Sequence, residues 1–215
     1  MKNPWEEISL ADYESHMKLD SVQQLQTMNA IMRGQFAELP TKTAMVLGVA
    51  GGNGLEHVDK GQYRKVYGVD VNREYLAECK TRHGALGDIL ECIPADLLAE
   101  DTVLPHAELL IANLLVEYIG YGCFQRVIRQ VSPEFVSCVI QANPTDGFVS
   151  DSPYLHVFDG LGQVHHEMDR QTLAAVMHEI GYGFAKTEEY ALPNGKKLVR
   201  LDFRREERSN HDSDL

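Results

Sequence analysis

Residues 43–70 leave the chain few choices of fold. Thr43-Ala44-Met45-Val46-Leu47-Gly48-Val49 is a run of apolar residues that ends in the turn Ala50-Gly51-Gly52-Asn53-Gly54. A second apolar run, Val66-Tyr67-Gly68-Val69, ends in the carboxylate of Asp70. Continuous apolar runs are what parallel strands buried on both faces require. The glycines let backbone approach a ligand closely and take positive φ. A strand, a tight turn into a helix, a second strand and a terminal acid form half of a nucleotide-binding βαβ unit. Asp70 lies eighteen residues after Gly52, close to the roughly 20 that place an acid on ribose hydroxyls.

The rest of the chain continues the alternation. A helix is expected from the turn to about residue 60, and a strand over 65–70. A helix over 73–82 follows, capped by Asn72 and stopped at His83-Gly84. A short strand over 89–93 ends at Pro94-Ala95-Asp96-Leu97, and a strand over 107–113 ends at Asn113. A helix over 120–130 leads through Pro133 to a strand over 135–141. This pattern predicts an α/β fold, a doubly wound, Rossmann-like and mostly parallel sheet. Ligands of such sheets bind outside the carboxyl ends of the strands. The polar residues there are the 50–54 turn, Asp70, Asp96, Asn113 and Gln141.

Residues 142–168 break the alternation and form a loop on the ligand side. Asp169 then caps a helix over 170–180. Strands over 184–192 and 196–203 flank Pro193-Asn194-Gly195, a hairpin signal, so the sheet should finish with an antiparallel hairpin. Ahead of the first strand, 8–39 reads as two helices, the first capped by Ser9 and the second by Asp20 or Ser21. Val22, Leu25, Met28, Ile31 and Met32 form one apolar stripe, and Pro40 ends the segment. The organisation is an N-terminal helical segment (1–40), a main domain (41–205) and a polar tail (206–215).

Composition narrows the partners. The formal net charge is −12, which repels a phosphate backbone and makes nucleic acid an unlikely partner. No stretch of about 18 apolar residues offers a membrane span. The acidic start, Met1 to Glu7, lacks the apolar core of a secretory signal. Cys79, Cys92, Cys123 and Cys138 include no CxxC pair and read as thiols in a reducing compartment, so a cytoplasmic chain is expected. His165-His166-Glu167 lacks ligand spacing and is read as non-metal.

With the hairpin in place, the chain over about residues 40–205 resembles the class I S-adenosylmethionine-dependent methyltransferases. The carriers are Val46-Leu47-Gly48-Val49-Ala50-Gly51-Gly52-Asn53-Gly54, Val69-Asp70-Val71-Asn72, Pro94-Ala95-Asp96-Leu97, Asn113 at the end of the fourth strand, and Gly181-Tyr182-Gly183 before the hairpin. The resemblance implies S-adenosylmethionine as cofactor. It puts Val49, Ala50, Gly51, Gly52 and Asn53 against the methionine part, and Asp70 and Val71 at the ribose. It puts Asp96 and Leu97 at the adenine, and Asn113 near the methionine part and the substrate. The chain departs from the family at Gly48, where an acid usually helps hold the cofactor's ammonium group, and at Ala50, where a glycine is usual. Ala50 is harmless if its φ is negative.

The N-terminal helices are expected to cover the site, with Tyr13 and His16 against the ligand. Methyl transfer needs chiefly positioning, and a base only when the nucleophile must lose a proton. The candidates for that role are Glu117, Tyr118, His156 and His165, with Asp159, His166 and Glu167 nearby. A small-molecule acceptor is expected. A non-catalytic cofactor-binding module and a nucleotide-dependent Rossmann oxidoreductase are the alternatives.

Overall fold

Strands β1 (Thr43–Leu47), β2 (Lys65–Asp70), β3 (Leu90–Pro94), β4 (Leu109–Asn113) and β5 (Phe135–Ala142) are parallel. The computed structural model describes residues 3–143 and 147–207. β6 (Tyr182–Ala191) and β7 (Lys197–Arg205) form the expected hairpin. The sheet order is β3-β2-β1-β4-β5-β7-β6, with β7 antiparallel to both its neighbours. The last strand therefore inserts beside β5 and pushes β6 to the edge. Of the expected tail, 208–215 lies outside the described residues, as do Pro144, Thr145 and Asp146 of the late loop.

All five residues of β1 are buried, and successive side chains of a strand point to opposite faces. Ala44 and Val46 meet Met32 and Phe36 of α2 (Gln24–Glu38) and Leu76 and Cys79 of α3 (Arg73–Arg82). Met45 and Leu47 meet the other layer, which contains Phe124, Val127 and Ile128 of α4 (Val116–Val131) and Leu173 and Met177 of α5 (Arg170–Glu179). Each of the Val, Leu, Ile, Phe and Met side chains withdrawn from water contributes roughly 1.5–3 kcal/mol.

Local chemistry fixes most helix starts. The Ser9 hydroxyl accepts from Asp12 N and caps α1 (Leu10–Met17). Asn72 Oδ1 accepts from Glu74 N and Tyr75 N. Asp169 Oδ1 accepts from Thr172 N.

Three expectations are corrected. Neither Asp20 nor Ser21 caps α2. The chain tucks the fully buried Val22 under the fold and enters the helix through Gln23 at φ 50°, with no side-chain cap. The helix expected from the glycine turn to residue 60 is a single 3-10 turn, Leu55–His57. α2 fills that space, since a Cβ on Gly54 would stand 2.7 Å from Met32 Cβ and Sδ. The helix expected over 120–130 is preceded by an extra helical turn from Val116, and Gly120 (φ 72°, ψ 164°), whose backbone is not helical, separates the two. The extra turn carries Glu117 and Tyr118.

The late loop contains a 3-10 segment, Leu155–Gln163. Its Phe158 and Leu161 pack on Ile8, with Trp5, Tyr13, Tyr118 and Phe148 around them. The start of the chain and the late loop thus share one apolar roof over the carboxyl ends of the strands.

Candidate functional site

β1 stops at Leu47 because the backbone turns. Gly48 N and Val49 N both donate to Val69 O, at 2.8 and 3.1 Å, and Gly48 has φ +66°. The next residue but one, Ala50, has φ +46°, so the condition for a harmless alanine there is not met. A left-handed L-residue costs about 1–2 kcal/mol. Part of the compensation is visible. Ala50 N donates to Asp70 Oδ2 at 2.9 Å, and Asn72 N donates to Asp70 Oδ1 at 2.9 Å. Burial raises the pKa of Asp70 and these backbone donors partly offset it. The backbone of Val71 is a third donor beside this carboxylate, which has about four acceptor sites in all.

Asp70 and Ala50 line a cavity together with Gly48, Val71, Asp96, Leu97 and Asn113. Trp5 and Tyr13 close it from the N-terminal segment, and Tyr75 and Tyr118 from α3 and α4. Tyr13 stacks on Tyr75, with centroids 6.3 Å apart. A second non-glycine residue at positive φ, Leu114 (φ 53°), lines the same cavity, so two of the chain's strained positions face it.

A neighbouring cavity shares Tyr13, Gly48, Ala50, Asn113 and Leu114 and extends over Val49, Gly51 and Asn53 to Glu14 of α1. Glu14 pairs with Arg82, with contacts of 2.5 and 3.0 Å. This pair lies on the glycine turn, because a Cβ on Gly51 would stand 2.7 Å from Glu14 Oε1 and 2.8 Å from Arg82 Nη1. A side chain on Gly51 would have to displace this pair.

A third cavity opens on the other side of Tyr13 and Tyr118. Its lining includes Trp5, His16, Gln24, Glu117, Gln141, Phe148 and His165. Glu117 is 3% exposed. Its Oε1 accepts from Gln141 N at 2.8 Å, and burial pushes its pKa up to about 7. His16 Nδ1 lies 2.7 Å from Ser152 Oγ. Burial lowers the pKa of both His16 and His165.

No family model and no curated protein matches this sequence. Solved structures do. N-methyltransferase NodS from Bradyrhizobium japonicum WM9 in complex with S-adenosyl-L-homocysteine aligns with a TM-score of 0.65 at 10% identity, over 92% of this chain and 98% of that one. Magnesium protoporphyrin IX methyltransferase ChlM from Synechocystis PCC 6803, with bound S-adenosylhomocysteine, aligns at 0.61 and 12% identity, over 85% and 82%.

The chain has the class I methyltransferase fold.

The [4+2]-cyclase SpnF also aligns, with a TM-score of 0.63, 8% identity and coverage of 88% and 84%, so this fold does not dictate one reaction.

Within the methyltransferase fold, most of the residues singled out from sequence gather at one end of the sheet. Ala50, Asp70, Val71, Asp96, Leu97, Asn113 and Tyr13 line the first cavity. Val49, Gly51 and Asn53 line the second. Glu117, Tyr118, His165 and His16 line the third. Gly52 lines none of the three, and His83 packs where its Cβ would stand, at 2.7 Å. The Asn113 amide is turned to α2, where it exchanges two 2.9 Å hydrogen bonds with Gln35. His156 has a 91% exposed side chain beside Asp159 and lines none of these cavities. Asp159, His166 and Glu167 line none of them either.

Among the described residues, no group of three or more His, Cys, Asp or Glu side chains is placed to hold a metal ion. No described helix is long and apolar enough to cross a membrane.

Sequence reasoning missed Trp5, Glu14 and Tyr75. Trp5 carried a readable signal. Asn3 caps a 3-10 turn, Pro4–Glu6, with Pro4 at its start, which is a helix-start signature that fixes an aromatic residue near the site.

Proposed function

We propose that this chain is an S-adenosylmethionine-dependent methyltransferase with a small-molecule acceptor. The observation that carries the reading is the convergence of Gly48, Ala50, Asp70, Asp96, Leu97 and Asn113 on one cavity at the carboxyl ends of parallel strands. The residues fit the cofactor. Asp70 offers a buried carboxylate to ribose hydroxyls. Asp96 accepts from Leu98 N through Oδ1 and keeps acceptor capacity for an adenine amino group. Val71 and Leu97 supply apolar contact for a flat ring. The glycine turn leaves room for backbone contact with the amino-acid end. Glu14 stands beside that turn and supplies the carboxylate that Gly48 lacks, while its partner Arg82 suits the opposite charge. The N-terminal helical segment, through Trp5, Tyr13 and Glu14, covers the cofactor.

When bound, S-adenosylmethionine supplies a methyl group already activated by the sulfonium. The chain's own contribution is to hold the acceptor beside that group and keep water out. The third cavity, which shares Trp5, Tyr13, Leu114 and Tyr118 with the first, is the acceptor site of this reading. The four free cysteines support a cytoplasmic location, and the acidic charge supports an acceptor other than nucleic acid.

The likeness to a [4+2]-cyclase favours a second reading, a cofactor-binding protein that transfers no methyl group. The protein should be incubated with S-adenosylmethionine and separate sets of small amines, alcohols and carboxylates, and S-adenosylhomocysteine release measured. The proposal expects at least one acceptor to raise release about tenfold or more over the acceptor-free rate. No increase with any set, in protein that still binds S-adenosylhomocysteine, overturns methyl transfer and leaves the second reading.

A further inference from the structure

The third cavity has a definite chemical character. Much of its lining is aromatic. Trp5 meets Tyr13 edge-on with centroids 5.7 Å apart, and meets Tyr118 edge-on at 4.9 Å. Phe148 stacks on His165 at 3.9 Å and an interplanar angle of 12°. Among the described residues, the one acid in the lining is Glu117. Its Oε1 is bonded to Gln141 N, and its Oε2 is buried with no hydrogen-bond partner among the described residues. A buried carboxylate oxygen without a donor costs free energy that a ligand bearing N–H or O–H can recover.

The nearby cationic side chains do not meet that need. His16 is engaged with Ser152, and burial and Lys196 both disfavour its charged form. His165 is disfavoured by burial in the same way. Lys196 Nζ donates to Phe148 O at 2.6 Å and does not line the cavity. Aromatic faces attract cations, and an open carboxylate oxygen attracts a cationic donor more than a neutral one. An alcohol would bring no charge to offset Glu117, and a carboxylate would add a like charge.

We propose that this cavity binds a protonated amine whose nitrogen donates to Glu117 Oε2 among the rings of Trp5, Tyr13 and Tyr118, and that Glu117 accepts one proton from that nitrogen. The N–H bond breaks with its electron pair left on nitrogen, an O–H bond forms at Oε2, and the two opposite charges disappear together. Glu117 is suited to hold that proton near neutrality, because burial already brings its pKa to about 7. The proposal rests on the first cavity being the S-adenosylmethionine site, since a nitrogen with a free electron pair is useful beside a methyl donor.

Trp5 is the chain's one tryptophan and lines both cavities, so its fluorescence reports both. The protein is first titrated with S-adenosylhomocysteine, then the saturated protein with benzylamine or benzyl alcohol near neutral pH. The expected result is benzylamine binding about tenfold or more tighter than the alcohol, with the preference falling to within about twofold in Glu117→Gln. S-adenosylhomocysteine affinity should stay within about twofold in that variant.

A second measurement on the native protein covers the case where the variant does not fold. Benzylamine stays protonated at both about pH 5.5 and about pH 8.5, whereas Glu117 becomes neutral at the lower value. His16 and His165 face the same cavity, burial holds their pKa below the ordinary imidazole value, and any charge they take up at low pH is positive, while Tyr13 and Tyr118, raised by burial, stay neutral. All of this weakens the amine preference at low pH. Equal or tighter binding of the alcohol, no binding of either probe, or an amine preference that survives Glu117→Gln overturns the proposal, and so does a preference unchanged by pH. A missing response to S-adenosylhomocysteine in the native protein instead overturns the reading of the first cavity.

Discussion

Glu117 concentrates the chemistry of the site in one side chain. The first turn of α4 places it, Gln141 N on β5 holds one of its oxygens, and the apolar roof removes water from the other. Burial raises its folded pKa to about 7 from the ordinary 4.5. Between those values the folded state keeps a proton that the unfolded chain has lost. This group therefore favours the folded state fully below about pH 4.5. Its contribution declines as pH rises through about 7 and is gone above that. The change is on the order of 3 kcal/mol. His16 and His165, with lowered pKa values, add a slope of the opposite sign, and the Tyr118, Tyr121 and Cys138 groups that sense Glu117 stay neutral in this range. The difference between native protein and Glu117→Gln isolates the acid. Urea unfolding from pH 5 to 8 should show the native protein losing stability relative to the variant, whereas parallel curves would mean that Glu117 is charged in the folded state throughout. Ala50 teaches a related lesson at the same scale. From sequence its fit depended on φ, and the positive φ goes with a hydrogen bond from Ala50 N to the Asp70 carboxylate, a contact twenty residues away in the chain.

At the scale of elements, local signals were read well and competition for space was not. β2 and α3 fall where expected, with Asn72 capping, because apolar runs, caps and stop residues act within a few positions. The crossover from β1 to β2 shrinks to one 3-10 turn because α2, placed by residues well upstream, fills the layer where a helix would lie. Nothing near residues 55–60 records that. The early start of α4 was hidden for a similar reason. Gly120 does mark a break, but a further turn precedes it, held partly by His166 N donating to Glu117 O at 2.7 Å. Gly54 tests this account. Its φ is +93° and a Cβ would stand 2.7 Å from Met32 Cβ. Gly54→Ala should destabilise the chain by about 2–4 kcal/mol, from strain plus overpacking, and the loss should be smaller when the change is made in a Met32→Ala background, which lacks the Sδ and Cγ contacts. Denaturant unfolding of the two variants measures both, and an unchanged midpoint for Gly54→Ala would show that α2 is not tightly seated on the turn.

Across the whole molecule, the sheet, the two helical layers and the gathering of polar residues around a cavity at the strands' carboxyl ends were legible, because βα alternation and strand-end polar residues follow from chain order. The enclosure of the site was not. Trp5, Glu14, His16, Phe148 and Phe158 come from segments far apart in the chain, and their meeting is a tertiary fact. A buried polar chain also ties the site to the far hairpin. Gln35 bridges Asn113 and Ser137 at 2.9 Å, and Ser137 donates to Asp202 at 2.5 Å. Asp202 accepts from Arg200 Nε at 3.0 Å. Arg200 Nη2 lies 2.8 Å from Asp202 and 3.0 Å from Glu38, off the hydrogen-bond direction, so those contacts are chiefly ionic. The central claim is that Asp70 and the glycine turn hold S-adenosylmethionine. Isothermal titration of S-adenosylhomocysteine into native protein and Asp70→Ala, each checked for folding by circular dichroism, tests it most directly. The account predicts one site per chain in the native protein and binding weaker by about tenfold or more in the variant. Equal affinity in the two proteins, or no heat from the native protein with S-adenosylhomocysteine while NAD binds, would contradict it.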